Sequence, residues 1–131
     1  MKTILVVEDS RMIRTTIEKD LTRAGYSVTT AMDGEDGLRS ARECRPDLIL
    51  LDMLLPKMTG LDLLAAIRAD KFFNDVPVVV LTGLSKGNAD RLKRSGAAAF
   101  FEKSDKSFQE GSRELIRLIE NVMKNGSNGK K

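Results

Sequence analysis

Four short apolar runs in this chain each end at a charged or hydroxyl-bearing residue. The runs and the residues that follow them are Ile4–Val7 with Glu8 and Asp9, Leu48–Leu51 with Asp52, Val78–Leu81 with Thr82, and Ala97–Phe101 with Glu102 and Lys103. Buried strands of a parallel sheet are continuous apolar runs, and their carboxyl ends meet at one edge of the sheet. The pattern therefore predicts that these polar side chains share one crevice.

Three of the crevice residues are carboxylates. Glu8, Asp9 and Asp52 would bring three negative charges together, and like charges a few ångströms apart repel strongly. A divalent cation removes that repulsion, and an incomplete set of oxygen ligands with room for water and a phosphate oxygen is typical of Mg²⁺. The sequence thus predicts a Mg²⁺ site, although Glu8 and Asp9 would also serve simply to cap the following helix together with Ser10.

A carboxylate beside Mg²⁺ can attack a phosphoryl group and form an acyl phosphate. Asp52 is the candidate nucleophile, Lys103 suits a phosphate oxygen as a mobile positive charge, and Thr82 suits another as a hydroxyl donor. Simpler interpretations stay open for two of them. Lys103 also fits a lysine at the end of a strand whose ammonium group reaches solvent. The Thr82 hydroxyl would equally bond to nearby backbone.

Segments with helical spacing of apolar residues separate the runs. The predicted helices cover residues 10–24, 33–45, 61–70, 85–95 and 112–124, and a further strand covers 26–30. Ser10 is a plausible N-cap of the first helix and Gly25 its stop. The apolar set of the last helix is wider than one face needs, so part of it is available to a partner.

Five strands joined by helices predict an α/β fold, an open, doubly wound parallel sheet of the flavodoxin-like (βα)5 kind. Strand 26–30 alternates between apolar and polar residues and is followed by Ala31 and Met32, so it belongs at an edge and the expected strand order is 2-1-3-4-5. We expect one domain over residues 1–124, followed by a polar, glycine-rich disordered tail over 125–131.

Composition narrows the functional classes. The chain has 131 residues, a formal charge of +3 and no histidine, so histidine-based acid–base catalysis and histidine metal ligands are excluded. Cys44 is the only cysteine, which rules out an internal disulfide and fits a cytoplasmic protein. No apolar stretch approaches the roughly 20 residues that span a bilayer.

Over residues 2 to 124 the chain resembles the receiver domain of two-component response regulators. The resemblance is carried by Glu8-Asp9, by Asp52, Pro56 and Gly60 at intervals of four, and by Thr82 and Lys103. It implies that Asp52 accepts a phosphoryl group from a histidine kinase or phosphotransfer protein, with Mg²⁺ held by Glu8, Asp9, Asp52 and the Met53 carbonyl. It also implies that Thr82 moves toward the phosphate while Phe100 swings inward.

Two further features bear on what the resemblance implies. Ser104 follows Lys103 where the family usually has a proline with a cis bond, and a cis bond before any other residue costs about 3 to 4 kcal/mol. Leu54 and Leu84 occupy positions that tune phosphate loss in the family. Because apolar groups cannot orient an attacking water, we expect a long-lived phosphoryl group and only slow autodephosphorylation, so the chain is not an enzyme in the ordinary sense.

Other functions are also compatible with parts of the sequence. A phosphohydrolase with an aspartyl nucleophile normally has a second acid two residues further on, where this chain has Leu54. The basic segment 85–95 has no aromatic side chains on which bases could stack, so it is a weak candidate for binding nucleic acid. No membrane contact is expected. A receiver fold that signals without phosphate, the receiver part of a longer regulator, and a phosphorylation-linked homodimer are further alternatives, and the downstream protein target is unknown.

Overall fold

A computed structural model of the chain describes residues 1–53, 55, 58–71, 73, 75–82, 94, 96–102 and 113–129, with the backbone alone at 82 and 125–129. Five strands and four helices lie within these ranges. The strands are β1 (Thr3–Val7), β2 (Ser27–Ala31), β3 (Leu48–Asp52), β4 (Val78–Thr82) and β5 (Ala99–Glu102). The helices are α1 (Arg11–Arg23), α2 (Gly34–Cys44), α3 (Gly60–Ala69) and α4 (Arg113–Gly129).

All strand pairs are parallel, and the sheet has the order β2-β1-β3-β4-β5. This confirms the fold class and the strand order predicted from the sequence. β3 lies in the middle and is buried along its whole length, whereas β2, at the edge, is mostly half-buried. Alternating polar and apolar residues were therefore a correct indication of an edge strand.

Two hydrophobic cores lie on opposite faces of the sheet because successive side chains of a strand point to opposite sides. On one face, Leu5, Val7, Ile49 and Leu51 pack with residues of α2 and α3, among them Ala41, Leu63 and Ile67. On the other, Ile4, Val6, Leu48 and Leu50 pack with Ile17 and Leu21 of α1 and with Leu115 and Ile119 of α4. The sheet is thus covered on both sides, which explains why its inner strands β1, β3 and β4 are apolar over nearly all of their length.

The ends of α1 match the signals predicted for them. The Ser10 hydroxyl accepts a hydrogen bond from the Ile13 backbone N–H at 3.4 Å, and Gly25 follows α1 with φ +100°. The predicted helix over 85–95 lies outside the described residues except for Arg94, which is helical.

The C-terminal helix α4 extends further than predicted. The sequence predicted an end at Lys124 and a disordered segment over 125–131, but the helical backbone continues to Gly129. Adding a residue to an existing helix fixes one residue for one hydrogen bond, so even weak helix formers such as Asn and Ser can prolong it. Leu115 and Ile119 of this helix are buried in one core, and Ile116, Leu118, Val122 and Met123 pack against the same core and are partly buried.

Among the described residues, no helix combines the length and the apolar character needed to cross a membrane.

Candidate functional site at the carboxyl edge of the sheet

Glu8, Asp9 and Asp52 come together where β1 and β3 end. One carboxylate oxygen from each residue lies within 4.8 Å of the others. Glu8 is fully buried and Asp52 is 2 % exposed, whereas Asp9 is on the surface. The cluster therefore has two members inside the protein and one at its opening to solvent.

Neighbouring strands hold the backbone on either side of this cluster. The Glu8 N–H donates to the Ala31 carbonyl at 3.1 Å, which continues the pairing of β1 with β2. The Met53 N–H donates to the Leu81 carbonyl at 3.0 Å, which continues the pairing of β3 with β4. Asp52 is thus fixed at the end of the central strand with hydrogen-bonded backbone after it.

The start of α1 is built around Glu8. The Ser10 N–H donates to Glu8 Oε2 at 2.9 Å, so this carboxylate does cap the helix entrance, as the simpler interpretation of the sequence proposed. Arg14 Nη1 donates to the carbonyl oxygens of Glu8 and Asp9 at 2.9 and 3.4 Å. The Glu8 side chain therefore both caps the start of α1 and belongs to the carboxylate cluster. Its hydrogen bond to the start of α1 holds it in place.

Arg14 was not identified from the sequence. A single arginine in an amphipathic helix gives no signal, because its partners are backbone carbonyls that the fold alone brings within reach. These hydrogen bonds go to backbone carbonyls. They place the positive charge of the Arg14 guanidinium close to the two acidic residues.

Gly60 holds the loop after β3 against the site. Its N–H donates to the Met53 carbonyl at 2.9 Å. A Cβ atom at position 60 would lie 2.5 Å from the Asp52 carbonyl oxygen and 2.7 Å from Met53 Cα, closer than any real contact allows. Since both neighbours are backbone atoms that cannot rotate away, glycine is required at this position of the Asp52, Pro56, Gly60 motif.

The donor set fits a small hard cation. In an octahedral Mg²⁺ site with bonds of about 2.1 Å, neighbouring ligand oxygens are roughly 3 Å apart and opposite ones roughly 4 Å apart. Oxygens within 4.8 Å of one another need only small side-chain movements to reach those separations. The Met53 carbonyl, also predicted as a ligand, already accepts the Gly60 N–H, so only its second lone pair remains for a metal.

The remaining predicted site residues are placed only in part. Thr82 is the last residue of β4 and directly follows Leu81, the register partner of Asp52, so its backbone lies beside the cluster. Phe100 pairs with Val80 in β5 and is half-buried against the core that α2 and α3 cover. Lys103, Ser104, Leu54 and Leu84 lie outside the described residues.

The fold and the site define an open α/β protein with an acidic, oxygen-only cluster at the carboxyl ends of its central strands. A model of the family described as "Response regulator receiver domain" matches residues 4–111. The chain belongs to this family, as its sequence predicted. Receiver domains are regulatory parts of two-component systems rather than metabolic enzymes.

Known proteins and solved structures support the same conclusion. The chain is 31 % identical to the polar-differentiation response regulator DivK of Brucella anthropi, over 78 % of this chain and 84 % of that protein. It is 31 % identical to the chemotaxis response regulator CheY4 of Vibrio cholerae, whose structure matches with a TM-score of 0.85 over 93 % of this chain and 98 % of that one.

Longer regulators are also similar to the chain. The transcriptional regulatory protein AfsQ1 of Streptomyces coelicolor is 45 % identical over 63 % of this chain, and the match covers 35 % of AfsQ1. The alkaline phosphatase synthesis transcriptional regulatory protein PhoP of Bacillus subtilis is 43 % identical, with 33 % of that protein covered. The match to these regulators thus spans about a third of their length.

Proposed function

We propose that Asp52 is the phosphoacceptor of a signalling module that takes its phosphoryl group from a phosphohistidine of a histidine kinase or phosphotransfer protein. A carboxylate oxygen of Asp52 forms the new bond to phosphorus, and the bond between phosphorus and the imidazole nitrogen of the donor breaks. The observation that carries this proposal is the position of Asp52, nearly buried at the end of the central strand and within 4.8 Å of two further carboxylates.

Glu8, Asp9 and Asp52 are the proposed Mg²⁺ ligands, with the second lone pair of the Met53 carbonyl as a fourth donor. A bound Mg²⁺ would neutralise the negative charge of the cluster and of an incoming phosphoryl group. Asp9, as the exposed member, provides the route by which a cation and a donor reach the site.

Lys103 and Thr82 are the proposed partners of the phosphoryl oxygens. The pairing of β3 with β4 supports this role for Thr82, because Thr82 directly follows Leu81, the residue paired with Asp52. Lys103 comes directly after β5, the strand beside β4. Phosphorylation would then draw the Thr82 hydroxyl toward the phosphate and turn the half-buried Phe100 ring inward, which changes the surface offered to a downstream protein. Leu54 and Leu84 would make loss of the phosphoryl group slow.

Acetyl phosphate tests the proposal without knowledge of the natural kinase. The protein is incubated with acetyl phosphate and Mg²⁺, and its intact mass is recorded. We expect an increase by one phosphoryl group that disappears in EDTA and in Asp52→Asn. Asp47→Asn is the matched control, because Asp47 lies at the opposite end of β3 and its side chain accepts the Thr3 N–H, a bond that asparagine can still accept.

A wild-type protein that gains no mass in Mg²⁺, while Asp52→Asn and wild type share the same fold by circular dichroism, would contradict the proposal. That result would favour a receiver fold that signals without phosphate. A mass increase in Asp52→Asn equal to that in wild type would move the acceptor to another residue.

A further inference from the structure

A pocket of about 560 Å³ lies at the end of the sheet opposite to the carboxylate cluster. One wall comes from the end of α2 and the residues before β3, and the other from the end of α3 and the residues before β4. The lining residues are Arg42, Arg45, Pro46, Asp70, Phe73 and Val76. Because β3 runs from this pocket to Asp52 and has five residues, the two sites are about 16 Å apart.

The pocket has an apolar floor. Pro46 and Phe73 are buried beneath it, and Val76 is half-buried at its side. Concave sites of roughly 300 to 1,000 Å³ with a mostly apolar lining and a few polar groups are typical of sites for small molecules. Size and floor therefore suit a compact ligand with a flat apolar portion.

The polar groups of the pocket are mainly positive. Arg42 and Asp70 form a loose ion pair, with 3.8 Å between Arg42 Nη2 and Asp70 Oδ2, and the Arg42 side chain remains 61 % exposed. In the part of the chain that the structure describes, the Arg45 guanidinium has no ion-pair partner. Among the described lining residues there are thus two guanidinium groups and one carboxylate, which leaves a net positive charge for an anionic group.

The backbone at Arg45 is also unusual. With φ +47°, it is the only non-glycine residue at positive φ among those described, and it connects α2 to Pro46. Glycine or asparagine is the ordinary choice for a left-handed residue at a helix end. Unfavourable backbone conformations concentrate at functional sites, and here the conformation places an arginine at the pocket wall.

We propose that this pocket binds a purine nucleotide. Its phosphate would pair with Arg42 and Arg45, and guanidinium groups suit phosphate because they donate two parallel hydrogen bonds. The planar ring would pack over Phe73 and Val76. Asp70, which contacts Arg42, would accept a hydrogen bond from a ring N–H or exocyclic amine, a donor that a simple anion lacks. A ligand with both an anionic group and ring donors satisfies all of these residues at once.

Titration of the full chain with AMP and with GMP tests the proposal. Isothermal calorimetry gives the affinity, and amide chemical shifts of ¹⁵N-labelled protein give the location, with EDTA present to keep cations from the carboxylate cluster. We expect saturable binding of at least one of the two nucleotides with a dissociation constant below about 1 mM, and the largest shifts at Arg45 and Val76.

Arg45→Gln is expected to weaken binding at least about tenfold, because it removes one charge-assisted contact to phosphate. Arg39→Gln is the matched control: Arg39 is an exposed arginine of the same helix that pairs with Asp36 and does not line the pocket, so its loss should leave the affinity unchanged. Since the Arg45 side chain is exposed and has no ion-pair partner among the described residues, Arg45→Gln should retain the fold, which circular dichroism verifies.

Three results would overturn the proposal. One is no saturation by either nucleotide up to about 10 mM. Another is inorganic phosphate binding as tightly as the nucleotides, which would mean that the floor contributes nothing. The third is equal weakening by Arg39→Gln and Arg45→Gln. Asp52→Asn separates this site from the proposed phosphoacceptor: unchanged affinity supports an independent pocket, and lost affinity would place the nucleotide at the carboxylates instead.

Discussion

Replacement of Asp52 by asparagine is expected to stabilise the protein when Mg²⁺ is absent and to abolish stabilisation by Mg²⁺. The three carboxylates of the cluster have oxygens within 4.8 Å of one another, and Glu8 and Asp52 are both buried. Without a cation their mutual repulsion opposes folding. Asparagine has nearly the same shape as aspartate but no charge, so it removes the repulsion and keeps the packing.

The size of the effect follows from Coulomb's law. At the 4.8 Å limit, two unit charges repel by about 3.5 kcal/mol at an effective dielectric constant of about 20, and by about 0.9 kcal/mol in water. The first value applies to the buried pair Glu8 and Asp52 at that largest separation, and the second suits the exposed Asp9. Asp52 also makes other interactions that the substitution weakens. We therefore expect Asp52→Asn to raise the free energy of unfolding in EDTA by about 1 to 3 kcal/mol.

Urea unfolding followed by circular dichroism measures this free energy with and without Mg²⁺. For a site with a dissociation constant of about 1 mM, about 10 mM Mg²⁺ adds about 1.4 kcal/mol to the wild type. Asp52→Asn should gain far less from Mg²⁺, and Asp47→Asn should respond like the wild type. An Asp52→Asn protein that is less stable than wild type in EDTA and equally responsive to Mg²⁺ would refute both the repulsion and the metal site.

Three further outcomes are expected. Gly60→Ala should lose about 1 to 3 kcal/mol in urea unfolding and slow phosphorylation by acetyl phosphate, because a Cβ atom would push the backbone at Met53 away from α3, and unchanged stability would contradict this. Arg68→Met should lose about 2 to 4 kcal/mol by the same measurement, since the Arg68 guanidinium donates to the carbonyls of Phe73, Val76 and Gly96 at 2.8 to 3.2 Å; a loss below about 0.5 kcal/mol would contradict it. Burial raises the pKa of the Cys44 thiol, so its alkylation by iodoacetamide at pH 8 should be slower than that of free cysteine and should accelerate as pH rises further; a rate equal to that of free cysteine would count against it.

Sequence patterns predicted the features that depend on local chemistry or on simple periodicity. Ser10 as an N-cap, Gly25 as a helix stop and the edge position of β2 all follow from preferences of single residues or short alternations. The meeting of Asp52 with Glu8 and Asp9 was also predictable, because parallel strands place their carboxyl ends together.

Contacts between distant segments were not predictable from those patterns. Arg68 bonds to the carbonyl of Gly96, 28 residues away, and nothing in an amphipathic helix distinguishes it from other arginines. The left-handed backbone of Arg45 was not predictable either, since glycine is the usual signal for that conformation. In β5 the apolar run begins at Ala97 but the strand begins at Ala99, because Ala97 contributes to the core before the ladder starts.

Chemical identification of the residue that carries the phosphoryl group tests directly whether Asp52 is the phosphoacceptor. After reaction with acetyl phosphate and Mg²⁺, borohydride reduces an acyl phosphate of aspartate to homoserine and releases phosphate, and peptide mass mapping then locates the change. We expect homoserine at position 52 and no other Mg²⁺-dependent modification. Homoserine at a different aspartate, or an unmodified Asp52 in protein that has gained a phosphoryl group, would contradict it.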